Sequence, residues 1–461
     1  MIKKIFGFSA GTWIGALITF VSMPIATYLF NQEELGKINY YFSIINIFLS
    51  IILLGLDQAY IRYFYEYREN IQKKLFSCNL LCSTCITICT CFFFYIIQYP
   101  ISSRLINSEI DSFLLLFASH VIGLLVTRYF QLLYRFQGNI LWFTIISTIN
   151  IILLKVVYLG EALFSRNAVN AIIFSAVTSA IVAIIVLLAN MGKITLNIHL
   201  EKNILIEEFK YAIPIIPMML VAVLNNYLPI LFLKEYTNYS NVALYSIAVT
   251  IGSIVTLIHN GLNTFFEPFV FANYKHNIEK VKKLGEAICD IMAFAAISLF
   301  LIQELILKIY NKSYFEASYI IPILICSSLF YALSDFWGIG IKISKRMVYN
   351  AVIYTISTLI NMLTCYFLVP YLDVIGAAIS AAFSSLCLII MKTYKANQYY
   401  KISNIKKYIP VLSLLILGCL INKLISIYIL KYIILFIIWS ICVWHLNIIN
   451  YCKIIISKYW K

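Results

Sequence analysis

The sequence predicts an all-α polytopic membrane protein with about 14 transmembrane helices, arranged as two six-helix lobes plus an accessory pair. Three observations lead to this prediction. The 461 residues are 62% hydrophobic and only 12% charged, whereas soluble chains are about 25% charged. Apolar runs of about 20 residues, long enough to span a bilayer, recur from end to end. Lys and Arg gather in alternate loops, as the positive-inside rule requires.

The N-terminal lobe is assigned to residues 1–200. Its basic start resembles a signal peptide, but the apolar run continues to Phe30 without a small-residue cleavage site, so it is predicted to be an uncleaved span. The six predicted spans of this lobe are 9–30, 38–58, 76–98, 112–133, 140–160 and 168–190.

The C-terminal lobe is assigned to residues 201–400 and the accessory pair to 401–461. The lobe's predicted spans are 211–233, 238–260, 285–307, 317–340, 349–369 and 373–393. The pair follows at 409–427 and 430–450. Only the short segment "NKLISIY" separates its two members, so 12 spans remain the alternative total.

The charge distribution predicts orientation. Most of the 35 Lys and Arg fall in loops on one side, which places both termini in the cytoplasm. The net charge of +15 therefore reflects membrane topology and not nucleic-acid binding. The longest outside loop, "YPISSRLINSEID", has no room for a catalytic domain.

The two lobes carry an internal repeat. "FTIISTIN" aligns with "YTISTLIN" and "GLD" at Gly55 with "GLN" at Gly261, at offsets of about 205–211 residues that cross six spans. An even number of spans makes the repeat parallel, a transporter architecture with lobes around a central cavity. Four prolines lie within predicted spans, where they could be static kinks or hinges: Pro24, Pro217, Pro229 and Pro322.

Five cysteines cluster in "SCNLLCSTCITICTC". Cys78, Cys82, Cys85 and Cys89 are spaced along one face of an apolar helix with no histidine nearby. Small residues on one face favour helix packing, so we interpret them as packing residues and not as a metal or redox site. No metal or cofactor is predicted.

Several segments together resemble the polysaccharide-biosynthesis flippases, the Wzx-type O-antigen translocases, which share a superfamily with multidrug and toxin extruders and lipid II flippases. The resemblance covers about residues 1–400. It is carried by "PIATYLFNQEELGKINYYFSIINIFLSIILLGLDQAYIRYFYEY", "RYFQLLYRFQGNILWFTIIS", "YAIPIIPMML", "NVALYSIAVTIGS" and "SKRMVYNAVIYTISTLIN". Ala243 departs from the glycine usual in the family.

The resemblance implies translocation of undecaprenyl-diphosphate-linked oligosaccharide across the inner membrane, from the cytoplasmic to the periplasmic leaflet. It further implies coupling to H⁺ or Na⁺, and a polysaccharide polymerase and a chain-length regulator as partners. Two alternatives stay open, a multidrug or metabolite exporter of the same fold and a membrane polymerase or glycosyltransferase. No G-x-S-x-G, Walker A or H-E-x-x-H sequence is present, so no enzyme activity is expected.

Candidate substrate contacts are polar residues at span ends or within spans. Arginines near the cytoplasmic ends could collect the diphosphate or could be ordinary headgroup anchors. Lys155 lies before an outer end, and two asparagines offer hydrogen bonds to sugar hydroxyls. The candidates are Arg62, Arg128, Arg135, Lys155, Asn225 and Asn226.

Candidate ion-coupling groups are the carboxylates near span ends and one mid-span histidine. The alternative roles are helix caps, ion pairs and packing. The candidates are Asp57, His120, Glu267, Asp290 and Asp335. Because the repeat places Asn263 opposite Asp57, the polar group at 57 is interpreted as architectural, while Arg62 has no counterpart.

Overall fold

The computed structural model describes residues 2–53, 55–64, 69–96, 113–195, 202–344, 346–400, 405–424 and 428–446. Within these ranges the chain forms helices joined by turns, with no β-strand. Two compact units result. Unit 1 is Met1–Lys234 with Asn238–Ala243, and unit 2 is Glu235–Thr237 with Leu244–Lys461.

Unit 1 holds the first nine helices, the ninth of which ends in unit 2. They are α1 (Ile2–Leu29), α2 (Gln32–Ile52), α3 (Leu56–Tyr63), α4 (Glu69–Ile96), α5 (Phe113–Phe136), α6 (Ile140–Lys155), α7 (Val157–Glu161), α8 (Ala168–Ala189) and α9 (Lys202–Tyr236). Helix α5 is the centre of the unit, because it packs against α4, α6 and α8. At Gly123 its backbone meets that of Ser179 on α8.

Unit 2 contains the last two residues of α9, most of α10 and the remaining helices. The helices after α9 are α10 (Tyr239–Asn273), α11 (Ile278–Leu307), α12 (Ile321–Trp337), α13 (Ile339–Ile343), α14 (Met347–Asn397), α15 (Ile405–Leu424) and α16 (Tyr428–His445). Helix α14 is two helices joined at Asp373, where φ is 48°. This break falls at the first residue of the predicted span 373–393, where the sequence separates that span from 349–369. Helix α12 packs against both α11 and α14.

Asparagine side chains start several of these helices. Asn31 accepts a hydrogen bond from the Glu34 amide at 2.8 Å, and Asn277 accepts one from the Lys280 amide at 3.1 Å. Such N-caps satisfy amide groups that have no partner within the helix. They therefore mark where polar turns give way to apolar helices.

Each predicted span overlaps a helix, and the structure is that of a multi-pass membrane protein. Among the described residues, 8 helices are long and apolar enough to cross a membrane, and Ile14–Leu29, Ile140–Lys155 and Leu430–His445 are shorter apolar helices. The prediction of an all-α polytopic membrane protein is confirmed. The accessory pair forms helices α15 and α16, and α16 is one of the shorter apolar ones.

Three details of the predicted spans are wrong. Pro322 does not kink a span, because it lies in the first turn of α12, where proline is well tolerated. Glu267 does not follow a span, because α10 continues through it to Asn273. Asp57 does not end its span, because α2 stops at Ile52 and Asp57 belongs to α3.

The cysteines of α4 differ in how far they are packed within unit 1. Cys82 packs against the buried cluster of Leu56, Ala59 and Ala212. Cys85 and Cys89 are exposed. The four cysteines therefore do not form one packed face.

Two Lys-Tyr dipeptides fix the accessory pair to α11. Lys407 on α15 lies 2.6 Å from the buried carboxylate of Asp290, and Tyr408 donates to the same group at 2.8 Å. On α16, Lys431 pairs with the carboxylate of Glu304. Tyr432 donates to the other oxygen of Glu304 at 2.9 Å. The accessory pair is thus an integral part of unit 2.

Candidate functional site

The first candidate site lies in unit 1, where α3 meets α5. Asp57 on α3 is fully buried, and its Oδ2 lies 3.4 Å from Nη2 of Arg128 on α5. Gln58 also donates to Oδ2, at 2.9 Å. A buried acid paired with a cation is stable only in such a hydrogen-bonded setting. The charge of Asp57 therefore has a partner, which the architectural interpretation of this residue did not include.

A break in the chain positions Asp57. Gly55 has φ of 67°, a left-handed conformation that separates α2 from α3 and that glycine adopts without steric cost. A Cβ built at Gly55 would lie 3.0 Å from the Ala212 carbonyl oxygen of α9. Both the backbone conformation and this contact require glycine. The matching Gly261 lies inside the continuous α10, so the predicted helix end is not shared by the two repeats.

Arg128 is held on one side and open on the other. Its Nη1 donates to Gln131 Oε1 at 3.2 Å, and Gln131 in turn donates to Ser147 on α6 at 2.7 Å. About a third of the Arg128 side chain, 34%, is nevertheless exposed. Since a guanidinium has five N–H donors, Arg128 can hold an anion while it remains bound to Asp57.

A second charged cluster lies in unit 2, between α12 and α14. Lys392 is buried and lies 2.7 Å from Oδ1 of Asp335. The same ammonium donates to the Tyr354 hydroxyl at 2.8 Å. His259 of α10 lies 3.5 Å from the other oxygen of Asp335. Three helices thus contribute to one buried ionic group.

The two clusters do not occupy equivalent places in the repeat. The alignment of "FTIISTIN" with "YTISTLIN" has an offset of 211 residues, which places Arg128 opposite Ile339 and not opposite Asp335. Each unit therefore has its own arrangement of buried charges.

In the described part of the structure, no contact links the other predicted substrate-binding residues to the Asp57–Arg128 pair. Arg135, Lys155 and Asn226 are exposed, at the end of α5, at the end of α6 and on α9, and Asn225 is half-buried beside Asn226. Arg62 lies in α3, but its side chain is outside the described part of the structure.

The remaining predicted ion-coupling residues lie apart from the two clusters or at their edge. His120 is buried on α5, and its Nδ1 lies 3.1 Å from the hydroxyl of Tyr41. Glu267 pairs with Lys342 at 3.0 Å. The carboxylate of Asp290 is occupied by Lys407 and Tyr408, which gives it a structural role in attaching α15.

Sequence reasoning missed three buried polar residues. The positive-inside rule places Lys392 with the basic residues on the cytoplasmic side, whereas it is buried in α14. Glu208 is fully buried on α9, and His259 is buried on α10. A signal existed for Lys392, because it interrupts the apolar end of the predicted span 373–393. Glu208 lies in a charged stretch, "IEEFKY", that resembles a surface segment.

The comparisons agree with this architecture. The family model described as "Polysaccharide biosynthesis protein" matches residues 1–267. No curated protein matches. Among solved structures, the lipid II flippase MurJ in its inward closed conformation aligns with a TM-score of 0.74 at 12% identity, covering 97% of this chain and 99% of that one.

Multidrug transporters of the MATE family share the fold as well. An inward-facing MATE transporter of the MOP superfamily aligns with a TM-score of 0.60 at 13% identity, covering 85% of this chain and 96% of that one. A point mutant of the Vibrio cholerae MATE transporter VcmN aligns with a TM-score of 0.57 at 12% identity, covering 87% of this chain and 97% of that one. The family match covers more than half of the chain, and it confirms the resemblance seen in the sequence: the chain belongs to the polysaccharide biosynthesis protein family and has the fold of MurJ and the MATE transporters.

Proposed function

We propose that this protein flips undecaprenyl-diphosphate-linked oligosaccharide units, such as O-antigen repeats, from the cytoplasmic to the periplasmic leaflet of the bacterial inner membrane. Its membership in the polysaccharide biosynthesis family and its flippase-type fold support this proposal. In this account both termini face the cytoplasm. Residues 1–200 and 201–400 act as two lobes that alternate access, and 401–461 serves as the accessory pair.

The observation that carries the proposal is the geometry of Arg128. The lipid tail of the substrate can remain in the bilayer, whereas the diphosphate and sugars need polar partners along their path. Arginine matches phosphate oxygens through paired hydrogen bonds. Asp57 and Gln131 orient Arg128, and a third of its side chain stays accessible. It is therefore preorganised to receive a diphosphate.

The other predicted residues extend this site in the proposal. Arg62 and Arg135 would join Arg128 in a basic vestibule, with Lys155 and the Asn225–Asn226 pair contacting the oligosaccharide further along its path. Asp335 is the coupling group that geometry supports best, because Lys392 and His259 surround its carboxylate. A coupling H⁺ would compete with these partners for the same oxygens. The released units would pass to a polymerase and a chain-length regulator.

Replacing Arg128 tests the proposed site. We expect Arg128→Ala to lower translocation by about tenfold or more, because a hydrogen bond to a charged group contributes about 1.5–3 kcal/mol. Arg128→Lys should lose less, since it keeps the charge but not the paired geometry. The measurement is the amount of lipid-linked oligosaccharide accessible on the periplasmic face of cells that express each variant at equal level.

Arg166→Gln serves as the control, because Arg166 is an exposed residue in the turn between α7 and α8. It should translocate like the wild type. Equal, wild-type translocation by the Ala and Lys variants of Arg128 would remove this residue from the substrate path. Export of amphipathic cations in place of the lipid-linked units would favour the multidrug exporter.

A further inference from the structure

Glu208 is a buried carboxyl group that the proposed substrate site does not use. It lies on α9 and has no solvent exposure. Its Oε1 accepts a hydrogen bond from the Asn79 side chain of α4 at 2.8 Å. Its Oε2 is buried and has no hydrogen-bond partner among the described residues. One oxygen of this carboxyl group therefore has a hydrogen-bond partner, and the other has none among the described residues.

The groups that face Glu208 are tyrosine and cysteine side chains. Tyr60 of α3, Cys78 and Cys82 of α4, and Tyr129 of α5 are the titratable side chains within electrostatic range. On α9 itself, the flanking charged residues Glu207 and Lys210 are exposed. No described Lys or Arg forms an ion pair with Glu208.

Three other buried carboxylates of this chain are paired with a cation. Asp57 has Arg128, Asp290 has Lys407, and Glu304 has Lys431. A buried carboxylate without a cation is unfavourable, and binding a proton removes the charge. A proton on Oε2 would neutralise Glu208 and leave its hydrogen bond with Asn79 in place.

Glu208 also lies where α9 covers the break between α2 and α3. Ala212, one helical turn after Glu208, touches Gly55 and packs with Leu56 and Ala59. Tyr211 makes an edge contact with Tyr63 of α3 at 5.8 Å between ring centroids. The same face of α9 thus carries the buried carboxyl and the contacts that hold α3.

We propose that Glu208 is a proton-binding site whose occupancy controls the docking of α9 on α3 and α4. With the proton bound, α9 stays docked and α3 keeps Asp57 beside Arg128. When the proton leaves, the unpaired charge favours separation of α9 from α4, which frees α3 to move. This inference rests on the proposed ion-coupled transport and names a residue that would carry H⁺.

Infrared difference spectroscopy of the purified full-length protein in lipid nanodiscs tests proton binding without any substrate. During a pH titration, the wild type should show a carbonyl band of a protonated carboxyl group that disappears as pH rises. Glu208→Gln should lose this band, while Glu207→Gln, the exposed neighbour, should keep it. Asn79→Ala removes a hydrogen bond that favours the charged form, so its midpoint should move up by about one pH unit or more.

A band unchanged in Glu208→Gln would overturn the proposal, as would an unshifted midpoint in Asn79→Ala. If Glu208→Gln misfolds, the titration midpoint of Asn79→Ala still tests whether Glu208 binds the proton. The translocation assay then tests whether proton binding is coupled to transport. The dependence of the translocation rate on pH should be lost in Glu208→Gln and retained in Glu207→Gln. If the translocation rate depends on pH in both variants as in the wild type, Glu208 does not control the docking of α9. A wild type that shows the band but flips no lipid-linked oligosaccharide would instead refute the proposed function.

Discussion

Individual charged residues are where sequence and structure differ most. The sequence identified Asp57, Arg128 and Asp335 as candidates but could not pair them. Arg128 and Asp57 are 71 residues apart, and Lys392 and Asp335 are 57 apart. Ion pairs between helices depend on helix rotation and on the path of each loop, neither of which is encoded locally. The residue types were therefore predictable from the sequence, and their partners were not.

The Asp335–Lys392 pair should be needed for stability. Lys392→Met leaves the partly buried Asp335 charge without this cation, which we expect to destabilise the protein by about 3 kcal/mol. Thermal unfolding of the purified protein in detergent measures this loss. Lys395→Met is the control, because Lys395 lies one turn further along α14, above the ring of Tyr349 at 4.1 Å.

The double variant Asp335→Asn with Lys392→Met sharpens this experiment. It removes both charges, so it should recover part of the stability that Lys392→Met loses. If Lys392→Met unfolds at the wild-type temperature, Asp335 does not carry a buried charge that depends on Lys392.

At the scale of helices, the apolar pattern predicted the elements well and their breaks less well. The division of α14 at Asp373 follows from a polar residue between two apolar runs. The sequence put the end of this span close to Gly55 but carried the span on to residue 58, because "IILLGLDQAY" reads as continuous and glycine occurs in membrane helices as well. The length of α10 was underestimated, since the predicted span ends at residue 260 while the helix continues to Asn273. Tertiary packing overrides these local signals.

A close helix contact gives a testable requirement at this scale. Gly36 of α2 lies against the backbone at the start of α10, and a Cβ there would be 1.8 Å from the Tyr239 carbonyl oxygen. Gly36→Ala must push the two segments apart, which should cost about 1–3 kcal/mol. Thermal unfolding in detergent provides the measurement.

Gly192→Ala is the matched control for this substitution. A Cβ at Gly192 meets nothing within 4 Å, and the residue lies in the short 3₁₀ helix Met191–Lys193. This variant should unfold like the wild type. Equal unfolding temperatures for both glycine variants would show that α2 and α10 can separate at no cost.

For the whole molecule, composition and the spacing of apolar runs were sufficient for the fold class, because a bilayer requires helices whose backbone groups are satisfied internally. The family followed from diffuse motifs, and the family match over residues 1–267 confirms it. Substrate identity does not follow from these features, because the same fold occurs in MurJ and in MATE transporters.

The location of lipid-linked oligosaccharide in cells that lack this gene tests the proposed function most directly. The account predicts that the units accumulate on the cytoplasmic leaflet, and that wild-type protein, but not Arg128→Ala, restores them to the periplasmic face. If the units reach the periplasmic face without this protein and remain unpolymerised there, translocation is not its function. Polymerisation of the units would then be the function that fits.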